Sequence, residues 1–595
     1  MARKPGPAKI PGVNPGAMPP RTRVPMFASA MGVAVDGPRI VRDASELQWD
    51  DEADLVVVGL GGAGIAAALE GVENGLEVAA LDRFAQGGST AANGGVIYAG
   101  GGTAIQKEAG VDDTKDAMLA YLEIEEGEVI SRETLERFVD GSAETIDWIM
   151  GHGGEFEGSY WPQKASYPPL DKFLYHPDNT LVARYREEIP PAPRGHRAFA
   201  TNGDKAWGLG GFITRKLEAA ALQRGLRLHK YAQATRLVQD ETGRVIGVEG
   251  KMIPADSKAA SKFAKHIAAA DKWMAALPPS FPLSAVTMGL GRRALKKAFK
   301  VANKAGEPFR VHARKGVQIS CGGFVINRRM LAHFAPQFLR SMPNGTLGDD
   351  GSGILLGASV GGNAVMMDRI SAWRFINPPK AWSDSIIVNR EGARFVDETV
   401  YGATLGDLIA VQPGGKAWLI YDKPGRKAAF EQARDEKLVP FQKQVTLLNL
   451  LFNKVKGRTL GDLARKLGMP AEALEATVAE YNEAAYARAP DPLGKTSSDM
   501  MPIEQGPFYA MDASIDSKLL ALAIMTVGGL KVDEASGQVL GEDGAPIAGL
   551  YAAGRSAIGL CTQTYVSGLS FADCLFSGRR TARHCLGKEI QATSA

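Results

Sequence analysis

The 595-residue chain is long enough to bury two or more cores, which excludes a single small domain. Its 45% hydrophobic and 23% charged residues are those of an ordinary globular protein, neither disordered nor fibrous, and a net charge of +3 is too small to argue for nucleic acid as a partner. The four cysteines, Cys321, Cys561, Cys574 and Cys585, show no CxxC-type metal spacing and read as reduced thiols of a cytoplasmic protein.

In chain order, residues 1–53 are rich in Pro, Gly and Ala and read as an extended N-terminal arm. The apolar stretch from Val24 to Val35 follows Arg21 and Arg23, but Pro25 and its distance from the start make it a poor export signal. Nowhere is there the run of roughly 18 apolar residues that a membrane-spanning helix needs.

Asp54-Leu55-Val56-Val57-Val58 is short, apolar and β-branched, the pattern of a buried parallel strand. It runs into Gly59-Leu60-Gly61-Gly62-Ala63-Gly64, then an Ala-rich helix from Ile65 to Gly71, then a second strand from Glu77 to Leu81 that ends at Asp82. That order is a complete Rossmann-type dinucleotide unit. Gly59 permits the tight turn, Gly61 lets backbone touch a pyrophosphate, and Gly64 lets the helix pack on the sheet. Asp82 is placed to accept hydrogen bonds from an adenosine ribose. A second run of small residues, Gly87-Gly88-Ser89-Thr90-Ala91-Ala92-Asn93-Gly94-Gly95, follows directly. A nicotinamide enzyme has no need of it here, whereas a flavin must be gripped along its pyrophosphate and under its ring. The expected cofactor is FAD, bound non-covalently.

Further segments carry a family resemblance: Thr235-Arg236-Leu237-Val238 with Gly243-Arg244-Val245-Ile246-Gly247-Val248, Cys321-Gly322-Gly323-Phe324 with Asn327, and Val388 to Phe395. Near the C-terminus stand Thr526-Val527-Gly528-Gly529-Leu530 and Gly549-Leu550-Tyr551-Ala552-Ala553-Gly554. In this order, from Trp49 to Arg583, the chain resembles the flavoprotein family of fumarate reductases and 3-ketosteroid dehydrogenases. The resemblance implies an α/β fold: a Rossmann-type FAD-binding domain built from both chain ends (54–335 and 521–590), with an inserted α+β substrate-capping domain at 336–520 that includes a helix from Ala471 to Ala485. It also places Gly322, Gly323, Gly554, Leu569 and Ser570 beside the cofactor. Arg555 departs from the family, since many relatives carry Glu there.

A dicarboxylate substrate requires fixed cations, best supplied by Arg and His. Ile524-Met525, with no His, stand immediately before Thr526, and no Arg follows Arg394-Phe395-Val396-Asp397-Glu398 until Arg426, so an apolar, neutral substrate is expected in place of a fumarate-like diacid. Tyr565-Val566-Ser567-Gly568-Leu569-Ser570 is similar to the closing motif of steroid Δ4-dehydrogenases, and the Pro- and Gly-rich turn of Δ1-dehydrogenases is missing. By this similarity Tyr565, Ser567 and Gly568 are active-site residues, and Tyr401 matches a Tyr placed across the pocket. The implied activity is that of an FAD-dependent 3-oxosteroid dehydrogenase or reductase at the C4–C5 bond, with Tyr565 as the base, Tyr401 sharing its proton network, and Ser567 or N–H groups beside Gly568 polarising the ketone. The competing readings are Δ1-desaturation, dehydrogenation of a smaller cyclic ketone, a fumarate-reductase-like dicarboxylate enzyme, and a non-catalytic, membrane-associated flavin-binding protein.

Residues 252–314 form a basic insert in which Phe263, Ile267, Ala270, Met274 and Leu277 recur at helical spacing. Trp273 to Gly291 carries no charge and is broken by Pro278-Pro279 and Pro282. Two readings stand for 258–312: a segment that dips into one leaflet of a membrane, making the protein peripherally associated, or a helical hairpin packed on the protein's own surface.

Overall fold

A computed structural model of the protein describes residues 16–199, 209–281, 283–435 and 438–588. The strand Asp51–Val58 is buried along its apolar half and lies between two parallel neighbours, Val78–Asp82 and Glu307–Ile319. Arg227–Lys230 extends the sheet on one side. The 13-residue strand Glu307–Ile319 does double duty on the other. Its first half pairs antiparallel with Val245–Met252, and after a register shift between Ala313 and Gly316 its second half pairs in parallel with Pro546–Ala552, from the far end of the chain. The nine-stranded sheet is thus assembled from both ends of the sequence, as expected for the nucleotide-binding part.

The two halves are locked by helix packing. Gly62–Glu73 lies against Leu569–Cys585, close enough that a Cβ at Gly578 would stand 2.2 Å from the Ala63 carbonyl oxygen. The buried Glu70 carboxylate meets both Arg579 and Arg583, at 2.8 and 2.6 Å, and these pairs hold its pKa below the usual carboxylate range despite its burial. A separate four-stranded antiparallel sheet, made of Ile386–Asn389, Ala417–Tyr421, Phe508–Asp512 and Val455–Gly457, forms the substrate-side unit with its helices, among them Ala471–Ala487.

Two expectations change. The stretch read as an extended arm is folded from Val24 onward: Val24–Met31 is a helix whose Val24, Phe27, Ala28 and Met31 are buried in the nucleotide-domain core. Arg39–Val41 then adds to the large sheet beside Ala232–Asp240. Four apolar residues at helical spacing outweighed the Pro/Gly-rich composition around them. Residues 1–15 of that arm, and 589–590 of the last segment, lie outside the described residues. The boundary at 336 is also interleaved. Phe338 joins the core of the substrate-side unit, whereas Ile354, Leu355 and Leu356 of helix Ser352–Ala358 pack with Val56 and Val317 in the nucleotide domain.

The basic insert is a pair of helices, Lys258–Met274 and Ser284–Ala305, joined through a turn. Phe263, Ile267 and Ala270 are buried with Leu347, and Phe263 stacks on Phe84 and meets Tyr231 edge-on. One face of the hairpin therefore rests on the protein. No described helix is long and apolar enough to cross a membrane.

Candidate active site

A cleft runs across the C-terminal edge of the large sheet. Gly59, Gly61, Gly62, Ala63, Asp82, Gly88, Ser89, Thr90, Gly322 and Gly554 line it. Gly64 acts from behind: a Cβ there would lie 2.1 Å from the Gly59 carbonyl oxygen, so the helix can start only with glycine at that point. Asp82 is held by backbone, its Oδ2 accepting from the Leu60 N–H at 3.0 Å and its Oδ1 from the Phe84 N–H at 2.9 Å. Oδ1 also accepts from the Ala85 N–H at 2.5 Å, so Oδ2 is the oxygen that keeps acceptor capacity for a ribose hydroxyl.

Asn93, Gly94 and Gly95 shape the neighbouring loop instead of lining this cleft. Asn93 accepts from the Gly95 N–H at 2.8 Å, and the Gly94 carbonyl accepts from the Tyr167 hydroxyl at 2.8 Å. Gly323 donates its N–H to Asp349 at 3.0 Å and backs onto Thr526.

Arg555, the departure noted in the sequence, stands on the cleft wall. Its Nη2 pairs with Asp349 Oδ1 at 2.7 Å, and its buried Nη1 has no hydrogen-bond acceptor. An unpartnered guanidinium N–H beside glycine backbone and a helix N-terminus suits a cofactor rich in acceptor oxygens, so the residues present fit FAD.

Beyond this cleft the predicted catalytic side chains come together from three parts of the chain. Tyr565 and Ser567 precede helix Leu569–Cys585. Gly568 has φ +88°, and a Cβ on it would stand 2.7 Å from the Tyr98 nitrogen, while its carbonyl accepts from that same Tyr98 N–H at 3.2 Å. Its role is to fix the turn against strand Val96–Tyr98. Upstream, the fully buried Glu126 carboxyl accepts from the Gln563 and Thr564 N–H groups at 3.0 and 3.1 Å, and burial pushes its pKa well up. Tyr401 begins helix Gly402–Ala410 and donates its N–H to Asn179 Oδ1 at 2.6 Å.

The rings form one aromatic group. Trp373 stacks on Tyr565 with centroids 4.7 Å apart, Tyr401 lies 6.5 Å from Tyr565, and Phe375 meets Tyr401 edge-on at 6.2 Å. The hydroxyls sort differently from the expectation that Tyr401 shares the Tyr565 proton network. Tyr401 interacts with Ser567, and Ser567 accepts from Tyr175 at 2.9 Å. The Tyr565 hydroxyl lies instead against the Ser570 hydroxyl and the Gly568 N–H. That N–H is thus committed to Tyr565, and the neighbouring Ser567 and Leu569 N–H groups bond to Pro177 and Val566 carbonyls.

Burial raises all three phenols. Tyr565 is pushed up to about 12, with the Ser570 hydroxyl, the Gly568 N–H and the Arg555 charge pulling the other way. Tyr175 escaped sequence reasoning, because a Leu-Tyr pair in a two-residue strand, Leu174–Tyr175, carries no motif. Arg374, the buried arginine next to Phe375, donates from its two terminal guanidinium nitrogens to the Leu520 and Ser514 carbonyls.

A family model described as an FAD binding domain matches residues 54–568. The chain belongs to that FAD-binding family. This flavoprotein is 36% identical over 518 residues to the 3-oxo-5-alpha-steroid 4-dehydrogenase of Comamonas testosteroni, a match that covers 86% of this chain and 94% of that one. It is 26% identical to the 3-oxosteroid 1-dehydrogenase of Mycobacterium tuberculosis, over 86% and 94% of the two chains. Among solved structures it resembles the 3-ketosteroid-Δ4-(5α)-dehydrogenase of Rhodococcus jostii RHA1 in complex with 4-androstene-3,17-dione, with a TM-score of 0.75 and 29% identity over 92% of this chain and 99% of that one.

Proposed function

We propose that this flavoprotein is a 3-oxosteroid Δ4-dehydrogenase or reductase, working on the C4–C5 bond next to the ketone. Its likeness to the Comamonas and Rhodococcus enzymes supports that substrate class. The observation that carries the reading is the cluster of Tyr401, Tyr565 and Ser567 with Tyr175, walled by Trp373 and Phe375. A flat, neutral ketone suits such an aromatic box.

FAD, held along the glycine cleft, supplies the hydride acceptor or donor. The chain's own side chains handle the proton and the ketone. Tyr565 takes the α-proton in dehydrogenation or returns it in reduction. Its phenolate is favoured by the Ser570 hydroxyl, the Gly568 N–H and the nearby Arg555 charge, each of which opposes the cost of burial. Ser567, fed by the Tyr175 hydroxyl and paired with Tyr401, donates to the ketone oxygen as negative charge develops there. Trp373, Phe375 and the buried Tyr401 ring exclude water from the reacting face.

Anaerobic mixing with saturated and Δ4-unsaturated 3-ketosteroids, following flavin absorbance, tests the assignment, and product analysis locates the new or lost double bond. Tyr565→Phe should lower turnover by about 10²- to 10⁴-fold with FAD still bound, the range of a lost general base. Ser567→Ala should lower it by about 10²-fold, as when one oxyanion donor is removed. Near wild-type rates in both variants would defeat the mechanism, and a double bond at C1–C2 would move the enzyme to the Δ1 class.

A further inference from the structure

We propose that the tip of the helical hairpin and a helix of the substrate-side unit together form a docking surface for an anionic lipid bilayer. The sequence singled out only the hairpin; the second element emerges from the fold. At the hairpin tip Leu283 and Val286 are each 63% exposed and Trp273 is 39% exposed, in a segment with no acidic residue between Asp271 and Glu307. Helix Pro440–Phe452 buries Gln442, Thr446 and Asn449 with Leu450, yet leaves Val445, Leu451 at 47% and Phe452 at 68% exposed to solvent. A water-facing helix ordinarily does the reverse.

One segment links the two elements. Ser280 in the hairpin turn donates to the Lys518 carbonyl at 3.4 Å, and Asn449 donates to the carbonyl of the very next residue, Leu519, also at 3.4 Å. The same connecting segment therefore touches both elements.

The charges around this surface select the occupant. Lys272, Arg292 and Arg293 on the hairpin and Lys518 between the elements are exposed, and Lys454 follows the second helix. Apolar side chains ringed by Lys and Arg match an acyl layer beneath anionic headgroups. Since no described helix can span a bilayer, the attachment is peripheral. The same segment leads inward: Leu520, next to Leu519, offers its carbonyl to Arg374, whose own N–H bonds to the Gly402 carbonyl beside Tyr401. The surface thus adjoins the substrate side of the molecule. The lipid contact is independent of the steroid assignment and can be tested without a steroid.

Holoenzyme is sedimented with phosphatidylcholine vesicles and with vesicles that also contain phosphatidylglycerol. Binding is expected only with phosphatidylglycerol, weakening as salt is added. Leu283→Glu with Val286→Glu, and separately Leu451→Glu with Phe452→Glu, should each lower it at least about tenfold. Flavin content equal to wild type verifies folding of each variant. A second readout uses the wild-type fold: brominated lipid should quench a share of the tryptophan fluorescence that is missing in Trp273→Phe. Equal recovery with both vesicle types, both double variants sedimenting like wild type, or a self-associated protein whose variants become monomeric without any vesicle binding overturns the proposal.

Discussion

Replacing Gly61 by Ala separates the two tasks of the glycine turn. In the structure a Cβ at Gly61 meets nothing closer than the Gly87 carbonyl oxygen at 3.9 Å, and Gly61 has φ −84°, which alanine adopts freely. The folded protein therefore has room for the methyl. Gly61→Ala gains about 0.4–1 kcal/mol from reduced freedom of the unfolded chain. It loses a similar amount, because alanine is a poor first residue for helix Gly62–Glu73. Unfolding of the cofactor-free protein should stay within about 1 kcal/mol of wild type. The methyl points into the cleft where a pyrophosphate must approach backbone, and overpacking of about 1–3 kcal/mol there weakens FAD by about 5- to 150-fold. Gly64→Ala provides the contrast, since its methyl would stand 2.1 Å from the Gly59 carbonyl and should destabilise the fold itself. FAD titration by fluorescence quenching and thermal unfolding without cofactor measure the two effects. An unchanged FAD affinity in Gly61→Ala, or an unfolding midpoint as low as that of Gly64→Ala, refutes this reasoning.

The remaining expectations concern protons and buried charge. Tyr565 stays a phenol until about 12, so chemistry-limited dehydrogenation should rise by up to about tenfold per pH unit between pH 7 and 10 and lose that slope in Tyr565→Phe. Tyr175→Phe, which removes the donor to Ser567, should lower turnover by about tenfold through the loss of about 1.4 kcal/mol with flavin content intact, and an unchanged rate would detach Tyr175 from the ketone-binding group. Burial pushes Asp573 up to about 6 from an ordinary 3.8, so its contribution to stability is full below pH 3.8 and fades as pH rises through 6. Asp573→Asn should accordingly gain about 3 kcal/mol on wild type between pH 4 and pH 7, read as a difference in unfolding free energy, and a gain that grows toward acid instead would contradict the sign. Arg555→Met leaves Asp349 buried without its cation and should cost about 3–5 kcal/mol, while also weakening FAD.

The nucleotide-binding part was legible because each of its residues has a local reason. The strand from Asp54 to Val58, the turn through Gly64 and the acid Asp82 obey backbone geometry that few other sequences satisfy, and the structure sets Gly59, Gly61, Gly62 and Asp82 around one cleft. Tyr401, Tyr565 and Ser567 were found through family resemblance and do lie together. What stayed hidden depends on long-range pairing. Tyr175 reaches Ser567 across 392 positions of sequence, and Glu126 steadies Gln563 across 437, so neither has a signature in its own neighbourhood. The partition of hydroxyls into a Tyr175–Ser567–Tyr401 group and a Tyr565–Ser570 group depends on side-chain placement, which spacing along the chain does not encode. The arm was misjudged because composition was averaged over fifty residues, while a single two-turn helix decided the outcome.

The pairing of Pro546–Ala552 with Glu307–Ile319, and of the last helix with Gly62–Glu73, has a consequence for biosynthesis. During translation the first dinucleotide unit leaves the ribosome more than 450 residues ahead of the helix that covers it, so a strand edge and an apolar helix face stay open for most of synthesis. A nascent chain arrested before residue 546 can complete the substrate-side unit, with its own local sheet, yet lacks one wall of the nucleotide cleft. The complete cleft, including Ala553, Gly554 and Arg555, therefore forms only after the C-terminal segment has been made.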